Sequence, residues 1–171
     1  GNLEDITYRV LRTLKEVDII AAEDTRNTMG LLKHFEINTK LIAHHMYNEK
    51  QSSDGLIEML NNGMNIALVS DAGYPLISDP GQVLVNRVID AGYNVVTING
   101  PSAILAALCA SGIAAQPFTF VGFLGSSEKE CKKQLEKWKK HEETLIFYEA
   151  PHRIEKTLKY CLQVLGDRRM C

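Results

Sequence analysis

Five consecutive residues, Glu149-Ala150-Pro151-His152-Arg153, bring a carboxylate, an imidazole and a guanidinium into one short loop. Together these groups can supply a proton acceptor, a proton carrier and an anion clamp. The plainer reading is that Glu149 and Arg153 pair with each other while His152 caps or packs. Three further polar clusters stand in comparable positions: Glu23-Asp24-Thr25-Arg26, Ser70-Asp71-Ala72-Gly73 and Asn99-Gly100-Pro101-Ser102. Each of the four follows a short apolar run that reads as a strand: residues 18–22, 66–69, 94–98 and 144–148. In a parallel sheet the carboxyl ends of the strands share one edge, which is where open α/β sheets bind ligands. The four clusters are therefore expected to converge on one crevice, although each alone is as easily a helix cap or a solvated turn.

The elements that must position these clusters alternate along the chain. Helical spacing of Ile6, Val10, Leu11, Leu14 and Val17 predicts a helix over 5–17, and Leu31, Leu32 and Phe35 predict a second one capped by Asp24 or Thr25. A brief strand is expected at 40–44. A helix follows from Asn48, which with Gln51 resembles a capping box, to Gly63. After the strand at 66–69, Ser78-Asp79 offers a cap and Pro80 fits the first turn of a helix running to Ala91. The helix 103–111, capped by Ser102, is apolar nearly all round and is expected to be buried on most sides, with Cys109 a small core residue. Strands alternating with helices predict a mainly parallel sheet covered on both faces. A change of composition at 112–117 places a domain boundary, giving domains 1–113 and 114–171. The second is predicted to hold strands at 118–123 and 144–148, a helix over 128–141 and a last helix ending before Gly166.

Composition narrows the function classes. The chain has 171 residues, a normal apolar fraction and a net charge of −2, so nucleic acid would have to be bound by a local basic patch. One candidate is the helix 128–141, where Lys129, Lys133, Lys137 and Lys140 share a face. Glutamates are interleaved with them, so a solvated face is the competing reading. The four cysteines form no CxxC pair and have no histidine at zinc spacing, and adjacent His44 and His45 make a poor ligand pair. That cysteine usage suggests a reducing cytoplasm. No apolar run reaches membrane-spanning length, and the first residues do not resemble a signal peptide. Phosphate-loop, dinucleotide-binding, zincin and hydrolase-elbow signatures are missing.

The segments GNLEDIT, AAEDTRNT, ALVSDAGYPLISDPG, INGPSAILAAL, FVGFL and LIFYEAPHRI, in this order, closely resemble the ribosomal RNA small-subunit methyltransferase I family of the tetrapyrrole methylase superfamily. The resemblance covers essentially the whole chain. It implies two α/β domains with S-adenosylmethionine held in a cleft between them, usually in a homodimer, and a chain truncated at both ends that lacks the first strand of its N-terminal domain. The implied activity is 2′-O-methylation of a cytidine ribose in small-subunit ribosomal RNA, in the cytoplasm, with RNA or the assembled subunit as partner and no membrane or metal. By residue-level correspondence Ser70, Asp71, Ala72, Gly73 and Ile77 would hold the cofactor, with Pro101, Ser102, Ala103 and Tyr148 close to it. Gly1 and Asn2 match the family's first glycine-rich turn.

Methyl transfer from a sulfonium to a ribose hydroxyl needs positioning and removal of a proton. Glu149 and His152 are the first candidates for the base and Asp24 and Glu23 the second. Arg26 and Arg153 would hold a phosphate or orient the carboxylates. Two other readings fit the same residues: methylation of a tetrapyrrole precursor, and a non-catalytic RNA-binding module whose main surface is the lysine helix.

Overall fold

The computed structural model describes residues 2–45 and 49–171, apart from the side chain of Lys50. Gly1 of the expected glycine-rich turn and Asn48 of the expected capping box lie outside the described residues. The chain divides into two compact units, Gly1–Ser102 and Ala103–Cys171.

The first unit is built around β1 (Ile19–Ala22), whose four residues are all buried. It lies between β2 (Lys40–Ala43) and β3 (Ile66–Val69) in a wholly parallel sheet of order β2-β1-β3. A strand buried on both faces needs a continuous apolar run, which Ile-Ile-Ala-Ala supplies. Side chains alternate across the sheet. Ile20 therefore packs on one face with Leu14, Leu32 and Ile37, from α1 (Tyr8–Glu16), α2 (Thr25–His34) and the turn that follows. Ala21 packs on the other face with Leu56 and Leu84 from α3 (Glu49–Asn61) and α4 (Gln82–Asp90).

Local chemistry moves several boundaries. Helix α1 starts at Tyr8 rather than Asp5, because the Thr7 hydroxyl caps it by accepting from the Val10 N–H. Helix α4 starts at Gln82, not at Pro80, and neither Ser78 nor Asp79 caps it. Its N-cap is Gly81 at φ 128°, and the first-turn amides are satisfied from a distance: Glu49 Oε1 accepts from the Gly81 N–H (2.9 Å) and the Val83 N–H (3.1 Å). The carboxylate also complements the positive end of the helix dipole.

The expected strand at 94–98 does not form. Val96 is 64% exposed and no neighbouring backbone pairs with this segment among the described residues, so its β-branched residues have no ladder to join. The expectation of a buried helix at 103–111 also fails. Helix α5 (Ala103–Ala110) buries only Leu108, while Leu105 and Cys109 are exposed.

The second unit pairs β4 (Phe118–Phe123) with β5 (Thr144–Tyr148), also parallel, with an irregularity between Phe120 and Gly122. Helices α6 (Glu128–Trp138) and α7 (Ile154–Leu165) supply Cys131, Leu135 and Val164 to a core that includes Leu124. Helix α6 ends three residues before the expected His141, and α7 stops at Gly166, whose φ of 79° suits glycine. The division into compact units falls between Ser102 and Ala103, so α5 belongs to the second unit.

Candidate functional site

The polar clusters do not share one sheet edge, because β4 and β5 form a sheet of their own. They form two groups, one in each unit.

In the first unit β1 and β3 are neighbours in register, Ala22 opposite Val69, so the residues that leave their carboxyl ends run side by side. The Asp24 N–H donates to Asp71 Oδ1 (3.3 Å), and Asn27 Nδ2 donates to Asp71 Oδ2 (2.9 Å). Asp24 caps α2 through the Arg26 N–H (2.8 Å) and takes the Arg26 guanidinium at 2.6 Å. The Arg26 bonds hold the Asp24 carboxyl down at about 2, so it is ionised throughout the physiological range. Arg26 therefore spends part of its charge on its own loop.

Glu23 and Asp79 behave in the opposite way. Burial pushes both carboxyls up, Asp79 and then Asp71 and Asp24 add repulsion at Glu23, and Asp71 adds it at Asp79. Hydrogen bonds from the Asp71 backbone to Glu23 and from Ser70 to Asp79 oppose these rises without cancelling them. The result is a concentration of four carboxylates, Glu23, Asp24, Asp71 and Asp79, around one pair of strand ends.

The turn between β3 and α4 is conformationally costly. Gly73 and Gly81 have positive φ, but so do Leu76 (74°) and Ser78 (69°), where a side chain disfavours that region. Strain of this kind clusters at functional loops. Asp71, Ala72, Gly73 and Ile77 are exposed, while Ser70 is half-buried with its hydroxyl 3.4 Å from the Ala72 carbonyl.

The segment Asn99–Ser102 follows no strand, yet it is brought to this turn. Tyr74 holds Gly100 by two hydrogen bonds, and the Thr7 hydroxyl donates to the Asn99 carbonyl (3.2 Å). Pro101 is exposed and Ser102 half-buried; Ala103 opens α5 in the second unit. His44, just past β2, is buried with Nδ1 2.7 Å from the Ser52 hydroxyl, and among the described residues its Nε2 has no hydrogen-bond partner. Among the described residues no group of three or more acidic, histidine or cysteine side chains is arranged to hold a metal ion.

In the second unit the loop after β5 is tightly tied. Glu149, with its side chain only 5% exposed, accepts from the Ala150 N–H (2.8 Å) and the Thr157 hydroxyl (2.5 Å) and pairs with Arg153 Nε (3.3 Å). Burial pushes the Glu149 carboxyl up, but these hydrogen bonds and the charges of Arg153 and His152 outweigh it, and the net shift is downward. The same Arg153 donates to the carbonyls of Leu124 (3.1 Å) and Gly125 (2.9 Å), joining the ends of β4 and β5. The ion-pair reading of Glu149 and Arg153 is thus the geometry observed, and of the three polar side chains His152 alone is exposed. Tyr148 stacks edge-on against Phe120 at 4.8 Å.

Several residues that build these sites escape sequence reasoning. Tyr74, Asn27, Glu49 and Thr157 act through partners 8 to 44 positions away, and of these and Asp79 only Asp79 carries a local signal, which reads as a helix cap.

A family model described as tetrapyrrole (corrin/porphyrin) methylases matches residues 1–170. The chain is 54% identical over 170 residues to the ribosomal RNA small subunit methyltransferase I of Bacillus subtilis (strain 168), covering 99% of this chain and 58% of that protein. It is 51% identical over 169 residues to the protein of the same name from Vibrio cholerae serotype O1, covering 99% and 59%. The chain therefore spans somewhat under two thirds of the length of these curated relatives. Among solved structures it is similar to diphthine synthase (TM-score 0.70, 16% identity, 95% of this chain and 68% of that one). It is also similar to a cobalt precorrin-4 methyltransferase (TM-score 0.69, 14% identity, 96% and 71%), and at these identities the likeness concerns the fold. With a parallel α/β sheet whose strand-end loops match that family along nearly the whole chain, this protein belongs to the tetrapyrrole methylases.

Proposed function

We propose that the protein is an S-adenosylmethionine-dependent methyltransferase that acts on the 2′-hydroxyl of a cytidine ribose in small-subunit ribosomal RNA. The names of the relatives at about half identity support the substrate class. The observation that carries the cofactor assignment is the group of four carboxylates at the adjoining ends of β1 and β3, beside the exposed backbone of Asp71–Gly73. S-adenosylmethionine carries a sulfonium, an ammonium and a carboxylate; the acidic side chains suit the two cations and exposed amides suit the anion. The residues present therefore fit the group.

In this reading Ser70, Asp71, Ala72, Gly73 and Ile77 hold the methionine end, and Pro101, Ser102, Ala103 and Tyr148 are further cofactor contacts carried over from the family resemblance. When bound, the cofactor supplies the methyl group to be transferred. Glu149 and Arg153 fix the shape of the loop after β5 that carries His152. His152, exposed and free of a hydrogen bond among the described residues, takes the proton from the ribose hydroxyl. Asp24 and Glu23 stand as the alternative base, with Glu23 the better suited because burial and the neighbouring carboxylates raise its pKa. Arg26 has an exposed guanidinium that can also meet a backbone phosphate. We place the protein in the cytoplasm as a homodimer, on the family resemblance; no described helix is long and apolar enough to cross a membrane.

A tetrapyrrole substrate is the second reading, favoured by the family description and by the fold likeness to a cobalt precorrin methyltransferase. Calorimetric titration of the intact protein with S-adenosylmethionine, followed by incubation with labelled cofactor and either unmodified small subunits or tetrapyrrole precursors, separates the two. Heat of binding and label on the subunits are expected. Absence of binding refutes the cofactor assignment, and label on the tetrapyrrole alone refutes the substrate.

A further inference from the structure

Helix α6 has a face that the proposed reaction does not use. Lys129, Lys133 and Lys137 recur every four residues, so at about 100° per residue these three fall within an arc of about 80° on the helix, and Lys140 follows in the turn just past its end. All four are exposed. The opposite side of the helix is the packed one, with Cys131 and Leu135 buried against Leu124 and Val164.

The interleaved glutamates would neutralise this face if they paired with it, and they are engaged elsewhere. Glu128 takes Lys132 (2.6 Å), which also lies over the Tyr160 ring; Glu130 accepts from the Ser127 hydroxyl (2.9 Å); Glu136 leans towards Lys139 (3.8 Å). Among the described residues, none of the four ridge lysines makes an ion pair. Residues 128–140 hold six lysines against three glutamates in a chain whose net charge is −2.

The ridge is also held in place. Ser127 caps the helix, the Gly125 N–H donates to Gln134 Oε1 (2.7 Å), and the Leu124 and Gly125 carbonyls accept from Arg153. No space remains for a side chain at position 125, where an added Cβ would lie 2.6 Å from Glu130 Cβ. The start of α6 is therefore fixed to the Glu149–Arg153 loop through the Arg153 guanidinium.

We propose that this lysine ridge grips the sugar–phosphate backbone of the RNA substrate, setting register on the RNA without reading its sequence. The inference rests on the ribosomal RNA reading above. Ammonium groups stepped by about 6 Å along a helix suit a run of phosphates, and lysines serve as mobile point charges for such contacts. An acidic protein partner is the competing occupant.

The test measures binding of the intact protein to naked small-subunit ribosomal RNA and to assembled small subunits as salt is varied. The fourfold variant Lys129→Gln, Lys133→Gln, Lys137→Gln, Lys140→Gln is compared with Lys156→Gln, Lys159→Gln on α7. The ridge variant is expected to lose at least tenfold in affinity at moderate salt and to reduce the slope of log K against log salt by roughly two to three. It should keep S-adenosylmethionine affinity and thermal stability, and the fourfold Lys→Arg variant should bind as the wild type does. An unchanged slope in the ridge variant, or an equal loss in the α7 control, overturns the proposal while leaving the methyltransferase reading intact. A loss confined to assembled subunits assigns the ridge to a ribosomal protein and also overturns it. Failure of the wild type to bind either RNA form overturns both.

Discussion

The Tyr74 hydroxyl uses both of its hydrogen-bonding functions on one residue, donating to the Gly100 carbonyl (3.2 Å) and accepting from the Gly100 N–H (3.0 Å). A side chain in the turn after β3 thereby fixes the backbone of a segment that belongs to no strand or helix. Among the described residues, the side-chain hydrogen bonds that hold the segment come from that phenol and from Thr7. Tyr74→Phe should cost roughly 1–2 kcal/mol of stability, the usual net worth of two partly buried hydrogen bonds. It should also weaken S-adenosylmethionine binding several-fold, as measured by calorimetry on the intact protein. Unchanged affinity would show that the Gly100 segment plays no part in holding the cofactor.

Glu49 caps a helix 32 residues further along the chain. Glu49→Ala leaves the Gly81 and Val83 amides without their acceptor and should lower stability by about 1–2 kcal/mol. Glu49→Gln should recover part of the loss, because it keeps an acceptor oxygen without the charge. Chemical denaturation of the three proteins measures both steps, and equal stability of all three would contradict the cap.

The raised pKa of Asp79 has a definite sign. A carboxyl that binds its proton more tightly folded than unfolded loses stability as pH climbs from its ordinary value through its folded value. Asp79→Asn removes that loss and keeps an acceptor for Ser70. The variant should melt above the wild type at pH 7, and the two should converge below about pH 4. A variant that melts lower at pH 7 would show that the Asp79 charge is needed for folding.

Glu149 is shifted in the other direction. Its stabilising contribution is present above the ordinary carboxylate pKa and fades as pH falls through the lowered folded value. Thr157→Val removes the 2.5 Å hydrogen bond that helps to lower it. The variant should be destabilised by about 1–3 kcal/mol at pH 7, since a buried carboxylate loses a partner, and by less in acid. Thermal melts between pH 3 and 7 give the comparison; a pH-independent difference would point to packing instead.

These residues also show what the chain makes legible. β1, β3 and β5 are apolar runs, β1 buried and β3 and β5 half-buried, and burial is a property that composition signals directly. Residues 94–98 have the same composition, but a strand also needs a neighbour, and no local pattern records whether one is present. The N-terminal cap of α4 shows the same limit: Ser78-Asp79-Pro80 is a good local signal, and Glu49 fills the role because tertiary packing puts a charge there. The ion pair of Glu149 with Arg153 is legible because opposite charges four residues apart in one short loop lie within reach of each other. The bonds from Thr157 to Glu149 and from Asn27 to Asp71 are set by how the elements pack, and spacing carries no sign of them.

The most direct test of the central claim is nucleoside analysis after reaction of the intact protein with labelled S-adenosylmethionine and small subunits lacking the modification. The account predicts label in 2′-O-methylcytidine, with at least a hundredfold slower transfer in His152→Ala and cofactor affinity retained. Label on a base carbon or nitrogen, or none in RNA while the cofactor binds normally, would contradict it.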